Sequence, residues 1–194
     1  MPTSLRQSVL MRAFGRPQGV LGRLGGAIMA RMNEPLGNWV LDLLAVQPTD
    51  HVLEIGFGPG VIVRNVSRRA PQGHVAGVDP SPVMVEQARA RCASAMQSGR
   101  VDLRLGSAES LPFADNRFDK ALAINSVQVW QEPSRRSTRE IRRVLKPGGL
   151  VALGFTSYSG QSRDGLLEHL SGIGFTAPEM KETGNGFCAL ARKP

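Results

Sequence analysis

The chain has 194 residues and a formal net charge of +8 at neutral pH. Its 41% hydrophobic and 21% charged residues suit one globular domain with a real core, and no apolar run approaches the ~20 residues of a membrane span. The N-terminus lacks an uninterrupted apolar stretch, so no secretory leader is expected, and the distant Cys92 and Cys188 form no CxxC pair, which makes a reducing cytoplasm the expected compartment.

The first 48 residues read as a helical appendage. Helices are predicted over Ser4–Phe14 and Leu21–Met32, separated by a break at Gly15–Gly19, with a further helix from Trp39 to Leu44 before Pro48. Apolar residues (Leu5, Val9, Leu10, Phe14, Leu21, Leu24, Ile28, Met29) interleave with arginines at helical spacing. That pattern suits a lid over a site, and it equally suits a helix lying on an anionic membrane surface.

From residue 49 to 194 strand and helix alternate. Strands are predicted at His51–Phe57, His74–Pro80, Val101–Ala108, Lys120–Asn125 and Leu150–Thr156. Helices are predicted at Pro59–Ala70, Pro82–Met96, Glu132–Leu145 and Ser162–Phe175, the third stopped by "KPGG". Ala177–Thr183 and Gly186–Arg192 read as a closing hairpin turned at "GNG". The implied fold is α/β: a Rossmann-like, doubly wound, seven-stranded sheet, mostly parallel with an antiparallel C-terminal hairpin strand, plus the N-terminal helices.

The informative stretch is "VLEIGFGPGVIV", Val52–Val63, which sets Gly56, Gly58 and Gly60 where a strand flows into a helix. Glycine permits strained dihedrals and close approach, and the helix N-terminus offers free N–H groups. Asp79, 19 residues after Gly60, closes the second strand, where a carboxylate can accept two ribose hydroxyls or act merely as a helix cap. The spacing is G-x-G-x-G, with Val61 where a dinucleotide fold wants its third glycine, which speaks against a nicotinamide-type cofactor.

"EIGFGPG", "GVDPSPVMVEQAR", "GSAESLPFADNRFD" and "RVLKPGG" follow in this order. Together they resemble the class I S-adenosylmethionine-dependent methyltransferases, in particular the small-molecule branch with quinone C-methyltransferases and phospholipid N-methyltransferases. The resemblance covers about Pro35 to Lys193. It implies S-adenosylmethionine as cofactor, with Gly56, Phe57, Gly58 and Gly60 along its methionine part and Glu54 orienting the ammonium end. Asp79 would bind the ribose, and Pro80, Met84, Ser107 and Ala108 would surround the adenine. The backbone carbonyls of Asn125 and Ser126 would meet the methionine amine. Many relatives carry aspartate where this chain has Ser107.

The acceptor is expected beyond the fourth and fifth strands, where Gln128 and Trp130 are candidate substrate contacts and Tyr158 the candidate polar group at the acceptor. "NSVQ" lacks the N/D-P-P-Y pattern of base-methylating enzymes, so nucleic acid is an unlikely partner. His51, His74 and His169 are not spaced as metal ligands, and no feature specifies an oligomeric state. The expected activity is methyl transfer to a small-molecule acceptor. Two alternatives stay open: a peripheral membrane enzyme acting on lipid head groups or quinone precursors, and a non-catalytic cofactor-binding regulator on the same fold.

Overall fold

The computed structural model describes residues 19–126, 129 and 135–194, with the backbone alone for 19–30. The chain runs α1 (Gly19–Leu43), β1 (His51–Ile55), α2 (Val61–Arg69), β2 (His74–Asp79), α3 (Pro82–Arg91), α4 (Ala93–Gln97) and β3 (Val101–Leu105). It continues with β4 (Phe118–Ile124), α5 (Arg136–Val144), β5 (Leu145–Thr156), α6 (Leu166–Ile173), β6 (Thr176–Thr183) and β7 (Gly186–Arg192).

Seven strands form one sheet in the order β3-β2-β1-β4-β5-β7-β6. β1 pairs in parallel with both β2 and β4, so the strand order reverses at β1/β4. That switch point leaves a crevice at the carboxyl ends of the strands, where open α/β sheets bind ligands. The hairpin slots β7 antiparallel beside β5 and leaves β6 at the edge. The α/β expectation, including the antiparallel closing strand, is met.

Strand periodicity sorts the buried residues onto two faces. Val52, Leu122, Ala152 and Leu190 join a cluster with Leu36, Val40, Val63, Val66 and Val85 from α1, α2 and α3. Leu53, Ala121, Leu153 and Ala189 join the other, with Ile141 and Val144 from α5 and Leu166 and Leu170 from α6. Glu54 alternates with Leu53 and Ile55, so it shares its face with Val52 and lies under α2 and α3. This geometry buries a carboxylate in an apolar layer.

Several predicted boundaries move. Leu21–Met32 and Trp39–Leu44 are parts of one helix that runs through Pro35. Proline removes one helical hydrogen bond there, and the burial of Leu36, Val40, Leu41 and Leu44 in the main core offsets that loss. Gly154 lets this helix lie directly on β5, since a Cβ there would come within 2.9 Å of Val40. The end of α1 is pinned from below: the Lys120 ammonium donates to the carbonyls of Leu44 (2.7 Å) and Ala45 (2.6 Å) and pairs with Asp50 at 2.9 Å.

The helix predicted to Met96 breaks at Cys92 into α3 and α4, and β3 ends at Leu105 rather than Ala108. The helix predicted from Ser162 starts at Leu166, because Ser162 and Asp164 close a local turn, the Asp164 N–H donating to Ser162 Oγ at 3.0 Å. "KPGG" is not a stop outside the strand but part of β5. Leu145 pairs with Phe118 and Leu150 with Lys120, so Lys146–Gly149 form a bulge held by a 2.7 Å Lys146–Asp119 ion pair. The predicted start of the third helix at Glu132 and the helix at Ser4–Phe14 lie outside the described residues.

Candidate functional site

The glycine turn joins β1 to α2 at the switch point. Gly56, Gly58 and Gly60 all have positive φ, at 69°, 52° and 79°. Their surroundings differ. A Cβ on Gly60 would stand 2.7 Å from Ala88 Cβ and 2.9 Å from its Cα, so this glycine admits α3 against the turn. A Cβ on Gly58 would meet nothing within 4 Å. The turn is therefore packed behind Gly60 and open in front of Gly58. Phe57 enters the turn by its backbone, while its ring is 4% exposed and fills the space beside Gly77. The Arg91 guanidinium holds the Pro59 carbonyl from α3.

Asp79 joins the turn to the end of β2. Its Oδ2 accepts the Gly58 N–H at 2.8 Å and its Oδ1 the Ser81 N–H at 2.9 Å. It is not a solvated helix cap: it is 6% exposed, and α3 is capped by Ser81, whose Oγ accepts from the Met84 N–H. Each carboxylate oxygen keeps a lone pair for a further donor. Burial pushes the Asp79 carboxyl upward, against the pull of the two N–H bonds.

Glu54 is 2% exposed, and its Oε2 is buried without a partner among the described residues. Burial first, and then the nearby Asp79 charge, raise its carboxyl well above the usual range, while the Val63 N–H works the other way. An orphaned buried carboxylate oxygen suits a cationic ligand end, and a carboxylate at a strand terminus suits paired hydroxyls.

Because both folded-state values lie above the unfolded ones, the folded chain binds these protons more tightly. The stabilisation is complete below the ordinary carboxylate range and declines as pH rises toward the raised values. Glu54→Gln is expected to flatten this decline and raise the ligand-free melting temperature at neutral pH. The same change is expected to weaken binding of a cationic ligand about tenfold. Melting curves across the acid-to-neutral range check the first part. A ligand-free variant no more stable than the parent at neutral pH would sink it.

At the carboxyl ends of β4 and β5, Asn125 has φ 53°. Its Oδ1 accepts the Thr156 N–H at 2.9 Å, and its Nδ2 donates to Asn33 Oδ1 of α1 at 2.8 Å. The Tyr158 hydroxyl donates to the same Asn33 oxygen at 2.9 Å. The neighbouring Ser126 faces the glycine turn, since a Cβ on Gly56 would stand 2.7 Å from Ser126 Oγ. Gly56, Ser126, Asn125 and Tyr158 are thus brought to one edge.

On the other flank, Pro80 and Ser107 are exposed, Ala108 is half-buried and Met84 is buried. The Gly106 N–H donates to the Asp79 carbonyl at 3.1 Å, which holds the Ser107–Ala108 segment beside the end of β2. Gln128 and Trp130 lie outside the described residues.

Sequence reading missed Asn33 and two apolar residues. Among the described residues the exposed large hydrophobics are Met32, Leu105 and Tyr158. Leu105 ends β3 and Tyr158 follows β5, both at the carboxyl edge of the sheet, and Met32 precedes Asn33 in α1. An asparagine and a methionine in a helical run carry no local signal of this kind.

Residues 52–149 match the family model described as a methyltransferase domain. The chain is 32% identical over 130 residues to the uncharacterized methyltransferase YdaC of Bacillus subtilis, covering 67% of this chain and 69% of that one. It is 39% identical over 104 residues to a demethylmenaquinone methyltransferase of Symbiobacterium thermophilum, covering 53% of this chain and 41% of that protein, so it spans less than half of that relative. A SAM-dependent methyltransferase from Aquifex aeolicus superposes with a TM-score of 0.74 at 19% identity, over 87% of this chain and 98% of that one, a likeness of fold.

Proposed function

The chain belongs to the class I S-adenosylmethionine-dependent methyltransferases, and from that membership we propose that it methylates a small, partly apolar metabolite bearing an O–H or N–H group, in the cytoplasm. The observation that carries the acceptor reading is the exposed Tyr158 after β5, its hydroxyl bonded to the Asn33 oxygen that also takes the Asn125 amide. Two buried free thiols, Cys92 and Cys188, fit a reducing compartment. The similarity to a demethylmenaquinone methyltransferase favours a ring acceptor of the quinol type.

When bound, S-adenosylmethionine supplies a methyl group on a sulfonium, already activated for in-line displacement. The protein's share is to hold and orient. Asp79 keeps a free lone pair on each oxygen for the two ribose hydroxyls, and Glu54 Oε2 answers the ammonium. Gly58 leaves room for the ligand against the backbone. The Asn125 and Ser126 carbonyls take the amine, and Pro80, Met84, Ser107 and Ala108 surround the adenine, with Leu105 beside them. Burial of both carboxylates strengthens their attraction to a cation, because water is largely excluded from them. Tyr158 orients the acceptor by accepting a hydrogen bond from it.

The test uses methyl-labelled S-adenosylmethionine with a cell extract, followed by partition of the label. Label in organic-extractable small molecules is expected. Label confined to macromolecules overturns the small-molecule reading. Tight cofactor binding with no transfer in any fraction supports a non-catalytic regulator instead.

A further inference from the structure

The hydrogen bonds around Asn33 have forced directions. The Thr156 backbone N–H can only donate, so the part of Asn125 that meets it is the oxygen. The Thr156 hydroxyl, 3.2 Å away, donates to the same oxygen. The Asn125 amide nitrogen then faces Asn33, which must answer with oxygen. That oxygen also takes the single hydroxyl proton of Tyr158. The chain is polarised from end to end, and both of its inner members are carboxamides. A carboxamide neither takes up nor releases a proton near neutrality, so a proton on Tyr158 has no relay through Asn33. Tyr158 is left with lone pairs alone toward the crevice.

The same shared oxygen links three elements. Asn33 belongs to α1, Asn125 ends β4 and Tyr158 follows β5. Asn125 is held in the left-handed region with φ 53°, a conformation that surrounding bonds must sustain. α1 is also latched to α2 one residue further on, where Asn65 Nδ2 donates to Glu34 Oε1 at 3.1 Å and to Asn38 Oδ1 at 3.0 Å. The turn of α1 that follows Asn33 is therefore tied to α2.

We propose that Asn33 is a positioning residue that locks the cofactor-contacting end of β4 to Tyr158 through one shared oxygen. By holding the phenolic proton it makes Tyr158 a hydrogen-bond acceptor for the incoming O–H or N–H, not a general base. This rests on the methyltransferase reading above. An acceptor molecule without such a hydrogen has nothing to offer Tyr158.

Tyr158 is the only tyrosine in the chain, so carbon-labelled tyrosine yields a single ring signal in the full-length protein. S-adenosylmethionine is titrated into the parent, Asn33→Leu, Asn33→Ala, Asn33→Asp and Tyr158→Phe, with affinity read by calorimetry. The cofactor is expected to shift the tyrosine signal in the parent and in Asn33→Asp, whose carboxylate keeps the shared acceptor. In Asn33→Leu and Asn33→Ala the shift is expected to vanish and Kd to rise about tenfold. Tyr158→Phe should keep the parental Kd within about twofold and lose most methyl transfer to extract small molecules.

Parental affinity and an unchanged tyrosine response in either deletion variant overturn the proposal. So does Asn33→Asp behaving like Asn33→Leu, because a purely steric role would then explain both. Should Asn33→Leu fail to fold, Asn33→Ala and Asn33→Asp decide. If the parent itself binds no S-adenosylmethionine, the cofactor reading fails, which is a different result from a parent that binds and variants that match it.

Discussion

Asp79→Ala is expected to weaken S-adenosylmethionine binding by about 1.5–3 kcal/mol, roughly 10- to 150-fold in Kd. The carboxylate has two tasks at once. It clips the glycine turn through the Gly58 N–H and secures the start of α3 through the Ser81 N–H. Its remaining lone pairs are the acceptors proposed for a ribose, whose hydroxyls would lose their charged partner in the variant. Removing it also strands two backbone donors, so part of the loss is an unsettled turn. Two measurements separate the parts. The ligand-free melting temperature reads the turn, and calorimetric Kd reads the ligand. Asp79→Asn, which keeps one acceptor oxygen without charge, should fall between parent and alanine in affinity. An Asp79→Ala protein with parental Kd would remove the ribose role, whatever its melting temperature.

Gly60→Val is expected to destabilise the fold by about 3–5 kcal/mol, combining left-handed strain with overpacking. The atoms it would meet are Ala88 Cβ at 2.7 Å and Ala88 Cα at 2.9 Å, and a backbone atom of a helix has no rotamer by which to yield. Against a typical net stability of about 5–15 kcal/mol this is a large share. For a chain of this size it corresponds to a fall of roughly 10 °C in melting temperature. Gly58→Ala is the matched control. Its φ of 52° is equally left-handed, yet a Cβ there meets open space. It should cost only the backbone strain, about 1–2 kcal/mol. Its larger effect should be on ligand affinity, because the methyl group would stand in the opening. Equal melting temperatures for the two variants would show that α3 does not pack on the turn as closely as described.

The sequence alone determined the parts whose signals are local. The alternation of strand and helix, the G-x-G-x-G turn and the position of Asp79 at the end of the second strand are carried by neighbours within a few residues. For that reason the mostly parallel sheet and its closing hairpin were legible in the sequence, while the roles expected of Glu54 and Asp79 came with the family resemblance. Only the tertiary structure decided the rest. Pro35 is an interruption by local rules, yet the helix continues because its inner face is buried against β5 and α2. Phe57 reads as a lining residue, yet its ring turns inward because Gly77 leaves a hole there. Asn33 had no signal at all: it meets Asn125 across 92 residues of chain and Tyr158 across 125. A hydrogen bond between side chains so far apart depends on how α1 is docked, and docking is set by the summed burial of many residues, which no short window of sequence contains.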